Sequence, residues 1–182
     1  MIKAIVLLAP GFEEIEAVTP LDVLRRASID VKSVSLSEEP VPSARGVKII
    51  ADTTIDKVME EDLDLIYLPG GLDGTENLFK DERVRKLLTR QINSKKLIAA
   101  ICAAPTILER YGLSDGKRLT CYPTCSSNIK NALFIDSNIV EDDNILTSKG
   151  PGTALEFSLF LIEKLMGPDK RTDISEAMLF KS

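Results

Sequence analysis

The 182-residue chain carries 23 basic and 28 acidic residues for a formal charge of −5, with three cysteines and no histidine. At about 100–200 residues per domain, this length predicts one domain over residues 1–182, large enough to bury a core without staples. The acidic balance argues against nucleic acid or an anionic membrane as partner. Three cysteines cannot close a disulfide framework and point to a reducing compartment. The missing histidines exclude Ser-His-Asp and Cys-His pairs, zinc helices and Cys/His fingers.

Lys3 is followed by six apolar residues, Ala4 to Ala9, and then Pro10, Gly11 and a glutamate cluster. That run is shorter than the roughly 7–15 residues of a signal-peptide core and reads as a first buried strand. Ile15, Val18, Leu21 and Leu24 follow at helical spacing. Val31, Val34 and Leu36 predict a second strand. Val47–Ile50 predicts another, after a Pro-rich loop at Glu39–Gly46. Leu63–Leu68 is a further buried strand, stopped by Pro69-Gly70-Gly71. Val84, Leu87, Leu88 and Ile92 make a helix face with Asp81 as its N-cap.

Leu97–Ile101 is strand-like and runs into Cys102, after which Ala104–Tyr111 reads as a helix with Pro105 in its first turn. Ile139–Glu141 and Ile145–Thr147 predict a hairpin about Asp142-Asp143-Asn144. Leu155, Leu159, Ile162 and Leu165 mark a late helix, and Asp173–Phe180 a last, shorter one. No stretch approaches the roughly 18 apolar residues of a membrane span. A soluble, cytoplasmic protein is the expectation.

Strands alternating with helices imply an α/β fold with a mostly parallel sheet covered on both faces. Ligands in such sheets sit beyond the C-terminal strand ends. Three of those ends carry unusual residues: Ala9-Pro10-Gly11, Pro69-Gly70-Gly71 and Cys102. Topology predicts that they converge.

Cys102 sits where a buried strand breaks sharply into a helix, the geometry of a nucleophile elbow without its flanking glycines. Alanines at 99, 100, 103 and 104 permit the tight turn. A helix N-terminus would stabilise its thiolate, whereas a structural reading makes it a small buried hydrophobe. Glu13 and Glu14 fit stabilisation of a helix dipole. Glu16, flanked by Ile15 and Val18 on the predicted inward face, reads as a buried carboxyl that keeps its proton beside the thiol. In a chain without histidine it is the acid/base partner for Cys102.

Four segments, GFEEIEAVTPLDVLRRASIDV, DLIYLPGG, LIAAICAAPTIL and LTSKGPGTALEF, resemble the ThiJ/PfpI superfamily. Within it they are most similar to the parkinsonism-associated DJ-one proteins and their bacterial ThiJ-like relatives, over residues 2 to about 180. The resemblance implies a flavodoxin-like three-layer sandwich that forms homodimers. It also implies an oxidation-prone cysteine at Cys102 with a protonated glutamate at Glu16. Gly70 and Gly71 match a glycine pair whose backbone N–H groups, with that of Ala103, line an oxyanion-type pocket.

The implied activities are a glutathione-independent glyoxalase converting methylglyoxal to lactate, or a deglycase acting on early methylglyoxal adducts. Neither needs a metal or organic cofactor, and the partner is a small aldehyde or dicarbonyl. The alternative is a non-catalytic redox sensor or chaperone of the oxidative-stress response. Tyr122 stands where many members place a histidine, so PfpI-type peptidase activity is not expected, and Tyr122 walls the pocket or donates one hydrogen bond. Cys121 and Cys125, on a loop that the resemblance places near Cys102, are too few for a structural zinc site. They read as incidental loop cysteines, or one of them as a resolving thiol.

Gly150-Pro151-Gly152-Thr153 reads as a tight turn opening a helix, placed by the resemblance at the pocket wall and dimer contact. Arg26 and Arg45 match arginines near the pocket mouth, where they would meet an anion or a partner subunit. As residues alone they read equally as solvated surface charge.

Overall fold

The computed structural model describes residues 1–180. In chain order its elements begin with strand β1 (Lys3–Leu8), helix α1 (Glu14–Arg26), β2 (Asp30–Ser35), β3 (Val41–Pro42), β4 (Lys48–Ile49), β5 (Thr53–Thr54) and α2 (Ile55–Val58). They continue with β6 (Leu65–Leu68), α3 (Leu72–Lys80), α4 (Glu82–Asn93), β7 (Leu97–Ile101), α5 (Pro105–Arg110) and β8 (Arg118–Leu119). A 3-10 turn over Pro123–Asn128 leads to β9 (Leu133–Phe134), β10 (Ile139–Asp142), β11 (Ile145–Ser148), α6 (Ala154–Met166) and α7 (Pro168–Ala177).

Seven strands form the central sheet in the order β10-β11-β7-β6-β1-β2-β5. All its pairings are parallel except the β10–β11 hairpin. Taken alone, β1, β2, β6, β7 and β11 lie in the order 2-1-3-4-5, the flavodoxin-like winding whose direction reverses between β1 and β6. Strands β6 and β7, and β1 after Lys3, are apolar throughout because both faces are covered. Ala4, Val6, Leu8, Leu65, Tyr67, Ala99 and Ile101 pack under α1 and α6, with α7 outside them. Their alternates Ile5, Leu7, Ile66, Leu68, Ile98 and Ala100 pack under α2 to α5. This period-two division between two cores is what a strand buried on both sides produces.

Several expectations need correction. Val47–Ile50 is not a strand of the main sheet: Lys48–Ile49 pairs antiparallel with Val41–Pro42, inside the predicted loop, as a separate ribbon. The short helices α2 and α3 were not predicted. In α3 only Leu72, Leu78 and Phe79 are apolar, and Leu72 points to solvent. Helix α7 begins at Pro168 and ends at Ala177 rather than spanning Asp173–Phe180.

The face of α1 also differs. Ile15 and Val18 are 54% and 46% exposed, and the buried side is Glu16, Ala17, Pro20, Leu21, Val23 and Leu24. Glu16 therefore points into the protein in place of its apolar neighbours. Among the described residues, no helix is long and apolar enough to cross a membrane.

Candidate active site

The strand ends of β1, β6 and β7 converge at the reversal point of the sheet, and backbone hydrogen bonds hold the connecting loops together there. Glu13 N–H donates to the Gly70 carbonyl at 3.0 Å, and Gly11 N–H to the Pro42 carbonyl at 2.8 Å. The β3–β4 ribbon is tied to the head of α1 by Ala44 N–H on the Phe12 carbonyl at 2.8 Å and by Glu14, whose Oε1 accepts from Arg45 N–H at 2.7 Å and from the Ser43 hydroxyl. A cavity of about 460 Å³ opens at this junction.

Cys102 lies on its wall. Its backbone takes φ +63°, the left-handed region, which costs a side-chain-bearing residue about 1–3 kcal/mol and persists only where the surroundings enforce it. They do so through Cys102 N–H on the Ser148 carbonyl at 2.9 Å and Tyr122 N–H on the Cys102 carbonyl at 2.8 Å. Ala103 and Ala104 complete the bend, and Pro105 starts α5 at a position where its missing N–H is not needed.

Behind Cys102, Glu16 has no exposed surface. Its Oε2 accepts from Gly70 N–H at 2.8 Å, while Oε1 is buried without a hydrogen-bond partner. A carbon built on Gly70 would lie 2.6 Å from Glu16 Oε2 and 3.1 Å from Cys102 Sγ, so carboxyl and sulfur face each other across a gap only glycine leaves open. At Gly71, with φ +88°, a side chain would come within 2.2 Å of the Gly11 carbonyl oxygen.

Burial is the largest influence on Glu16 and raises its carboxyl from 4.5 to about 7; the Gly70 N–H and then the Cys102 thiol oppose this, and the Glu13 charge adds to it. Burial also comes first for Cys102. With the adjacent Glu16 carboxylate it pushes the thiol well above its ordinary range, against the Gly71 and Ala103 N–H groups that hydrogen-bond to the sulfur. The expectation of a thiol activated by a helix terminus is thus corrected: two backbone donors do not outweigh desolvation and a neighbouring acid. The two groups ionise as a pair. The first negative charge falls on Glu16 near pH 7, and the second, on sulfur, is displaced to high pH. On β6 below, the Tyr67 hydroxyl is buried without a partner and held un-ionised by burial and then by those same two groups.

Of the other sequence-selected residues, Gly71, Ala103, Tyr122, Pro151, Arg45 and Cys125 line the cavity with Cys102. Gly70 does not, and its N–H is committed to Glu16, so it is no oxyanion donor. Arg26 lies away from the cavity as a solvent-facing ion pair with Asp22 at 2.8 Å, the surface-charge alternative. Cys121 is fully buried outside the cavity wall. Gly150–Thr153 forms the expected tight turn, with Thr153 Oγ1 accepting from Gly150 N–H at 3.2 Å. Tyr122 is 43% exposed and lies over Gly150, where a side chain would approach its ring to 3.2 Å. Gly11, at a strand end expected to converge here, also lines the cavity, whereas sequence reasoning missed Glu13, Ala44, Leu72, Asp73 and Thr124 as lining residues. Leu72 and Asp73 were hidden with the unpredicted α3. Among the described residues, no group of three or more Cys, Asp or Glu side chains could hold a metal ion.

A carboxyl whose folded value is raised stabilises the protein fully below its unfolded value of 4.5, and that contribution is lost as pH rises through about 7. The raised value corresponds to roughly 3 kcal/mol at about 1.36 kcal/mol per unit. Urea unfolding of wild type and Glu16→Gln between about pH 4.5 and 8 is expected to show wild type losing roughly that amount relative to the variant as pH rises. A stability difference independent of pH would contradict the assignment.

The DJ-1/PfpI family model matches residues 2–164. Protein dj-1beta of Drosophila melanogaster is 42% identical over 180 residues, covering 97% of this chain and 96% of that protein. Its crystal structure superposes with a TM-score of 0.97 at 41% identity, covering 100% of this chain and 99% of that one. A Caenorhabditis elegans protein named glutathione-independent glyoxalase DJR-1.2 is 38% identical over 175 residues, 94% of this chain and 93% of its own length. By sequence along its whole length and by the arrangement of its sheet, the chain belongs to the DJ-1/PfpI family.

Proposed function

We propose that the protein is a cofactor-independent enzyme that converts small reactive dicarbonyls, methylglyoxal first among them, to 2-hydroxy acids. The observation that carries this reading is the buried Glu16–Cys102 pair, opening on a cavity where the Gly71 and Ala103 N–H groups point at the sulfur. The glyoxalase name of the C. elegans relative supports the same reaction class.

The reactive form is reached when the Glu16 carboxylate takes the Cys102 proton, which leaves the proton on Glu16 and the charge on sulfur. Cys102 attacks the aldehyde carbon, and a carbon–sulfur bond forms as the carbonyl oxygen becomes anionic. The N–H groups of Gly71 and Ala103 stabilise that oxygen, which takes a proton from Glu16. The Glu16 carboxylate then removes the proton from the former aldehyde carbon and returns it to the neighbouring carbon. The hydroxyl proton on the former aldehyde oxygen passes to the former ketone oxygen, so the ketone becomes a hydroxyl and a thioester is left on Cys102. Water cleaves the thioester, releasing lactate and restoring the thiol, so methylglyoxal and water are consumed together. Deglycation would begin with the same sulfur attack on an early adduct. Tyr122 and Arg45 wall the cavity, where they would orient a substrate rather than take its proton.

Lactate formation from methylglyoxal should fall to background in Cys102→Ser. In Glu16→Ala it should fall by about 10²–10⁴-fold, the range of a lost acid/base group. Equal rates in all three proteins would remove the enzymatic reading.

The reading includes a pair of chains. Ile15 and Val18 on α1, and Val47 and Ile50 on the ribbon tied to its head, put large apolar side chains into solvent, Ile50 at 81% exposure. A second copy covering these residues would remove that surface from water. Sedimentation equilibrium is expected to give a dimer for wild type and a monomer for Val18→Lys. A monomeric wild type would refute the pairing.

A further inference from the structure

Three free thiols lie around one corner of the cavity. Cys121 and Cys125 pack with Ala103 in a small cluster of their own, and Cys102, Ile129 and Phe134 adjoin it. The segment that carries them is fastened to the Cys102 turn by the Tyr122 N–H on the Cys102 carbonyl. The next turn is closed by Cys125 N–H on the Tyr122 carbonyl at 2.8 Å. This brings Cys125 to the cavity wall that Cys102 also lines. Cys121, with no exposed surface, is not part of that wall.

We propose that Cys125 is the resolving thiol for Cys102, so that oxidation by a hydroperoxide ends in an intramolecular Cys102–Cys125 disulfide. In the first step the Cys102 sulfur attacks the terminal peroxide oxygen. An S–O bond forms, the O–O bond breaks, and the departing oxygen takes a proton to leave as water or an alcohol. Cys102 has lost two electrons to the peroxide and is a sulfenic acid. The Cys125 sulfur then attacks it, an S–S bond forms, the S–O bond breaks, and the Cys125 proton leaves with the hydroxyl as water. Two thiols and one peroxide are consumed, and an external dithiol reverses the change.

Burial pushes the Cys125 thiol up, with Thr124 pulling the other way. Free thiolate is therefore scarce at this position. The step draws on proximity inside one cavity, with the thiol proton passed directly to the departing hydroxyl. The consequence is protection, since a disulfide diverts Cys102 from the irreversible sulfinic acid. This inference goes beyond dicarbonyl chemistry and is read out without any dicarbonyl.

The test treats the reduced full-length protein with equimolar hydrogen peroxide, alkylates it, and maps non-reduced peptides by mass spectrometry. A Cys102–Cys125 linked peptide is expected in wild type and in Cys121→Ser. Cys125→Ser and Cys125→Ala, each verified as folded by circular dichroism, should lack the link, trap several-fold more dimedone on Cys102 and accumulate its sulfinic acid. Three outcomes would overturn the proposal: sulfinylated Cys102 without a link in wild type, a Cys121–Cys125 bond instead, or equal dimedone labelling of wild type and both Cys125 variants.

Discussion

Two acids pressed together in a place with little water cannot both ionise, and the site is organised around that constraint. Glu16 and Cys102 meet across Gly70, where any side chain would strike both of them. Oε2 of Glu16 takes the Gly70 N–H and Oε1 takes nothing, so an ionised carboxylate would leave a buried oxygen unsatisfied. Burial therefore keeps a proton on the pair, and the single charge that remains can move between oxygen and sulfur. That mobility gives a chain without histidine an acid/base relay.

The fold supplies this arrangement from its topology. The reversal of strand order between β1 and β6 leaves a crevice into which three strand ends deliver α1, the glycine pair and the Cys102 bend. Each component is over-determined by backbone hydrogen bonds, which is how a cysteine can be held at positive φ. The strain at Cys102 aims its sulfur at the cavity, while the extended strand before it is buried from Ile98 to Ile101.

How much of this was legible in the sequence varied with the kind of force involved. Strands buried on both faces are continuous apolar runs, so β1, β6 and β7 and their unusual ends could be read directly. The break at Cys102 was visible because an apolar run meets small residues and then a proline. Glu16 was selected as the buried acid, yet the supporting pattern was misread: Ile15 and Val18 face outward, and the inward face of α1 includes Glu16 and Pro20. Hydrophobic periodicity cannot find a helix that buries a charged group and exposes apolar ones.

Helix α3 was lost for a related reason. Gly74 sits in its interior because a side chain there would meet the Phe12 backbone at 2.7 Å, a tertiary demand that overrides local propensity. The direction of the Cys102 shift was also out of reach. It depends on how deeply the sulfur is buried and on a carboxyl 86 residues earlier in the chain, and neither quantity is local.

The most direct measurement of the shared proton is a carbon-13 NMR titration of the Glu16 side-chain carboxyl carbon in the reduced protein, assigned by its disappearance in Glu16→Gln. A midpoint near 7, as burial dictates, is the predicted result. A midpoint at the ordinary glutamate value of 4.5 would show a carboxylate ionised independently of its sulfur neighbour, and the account of the site would be wrong.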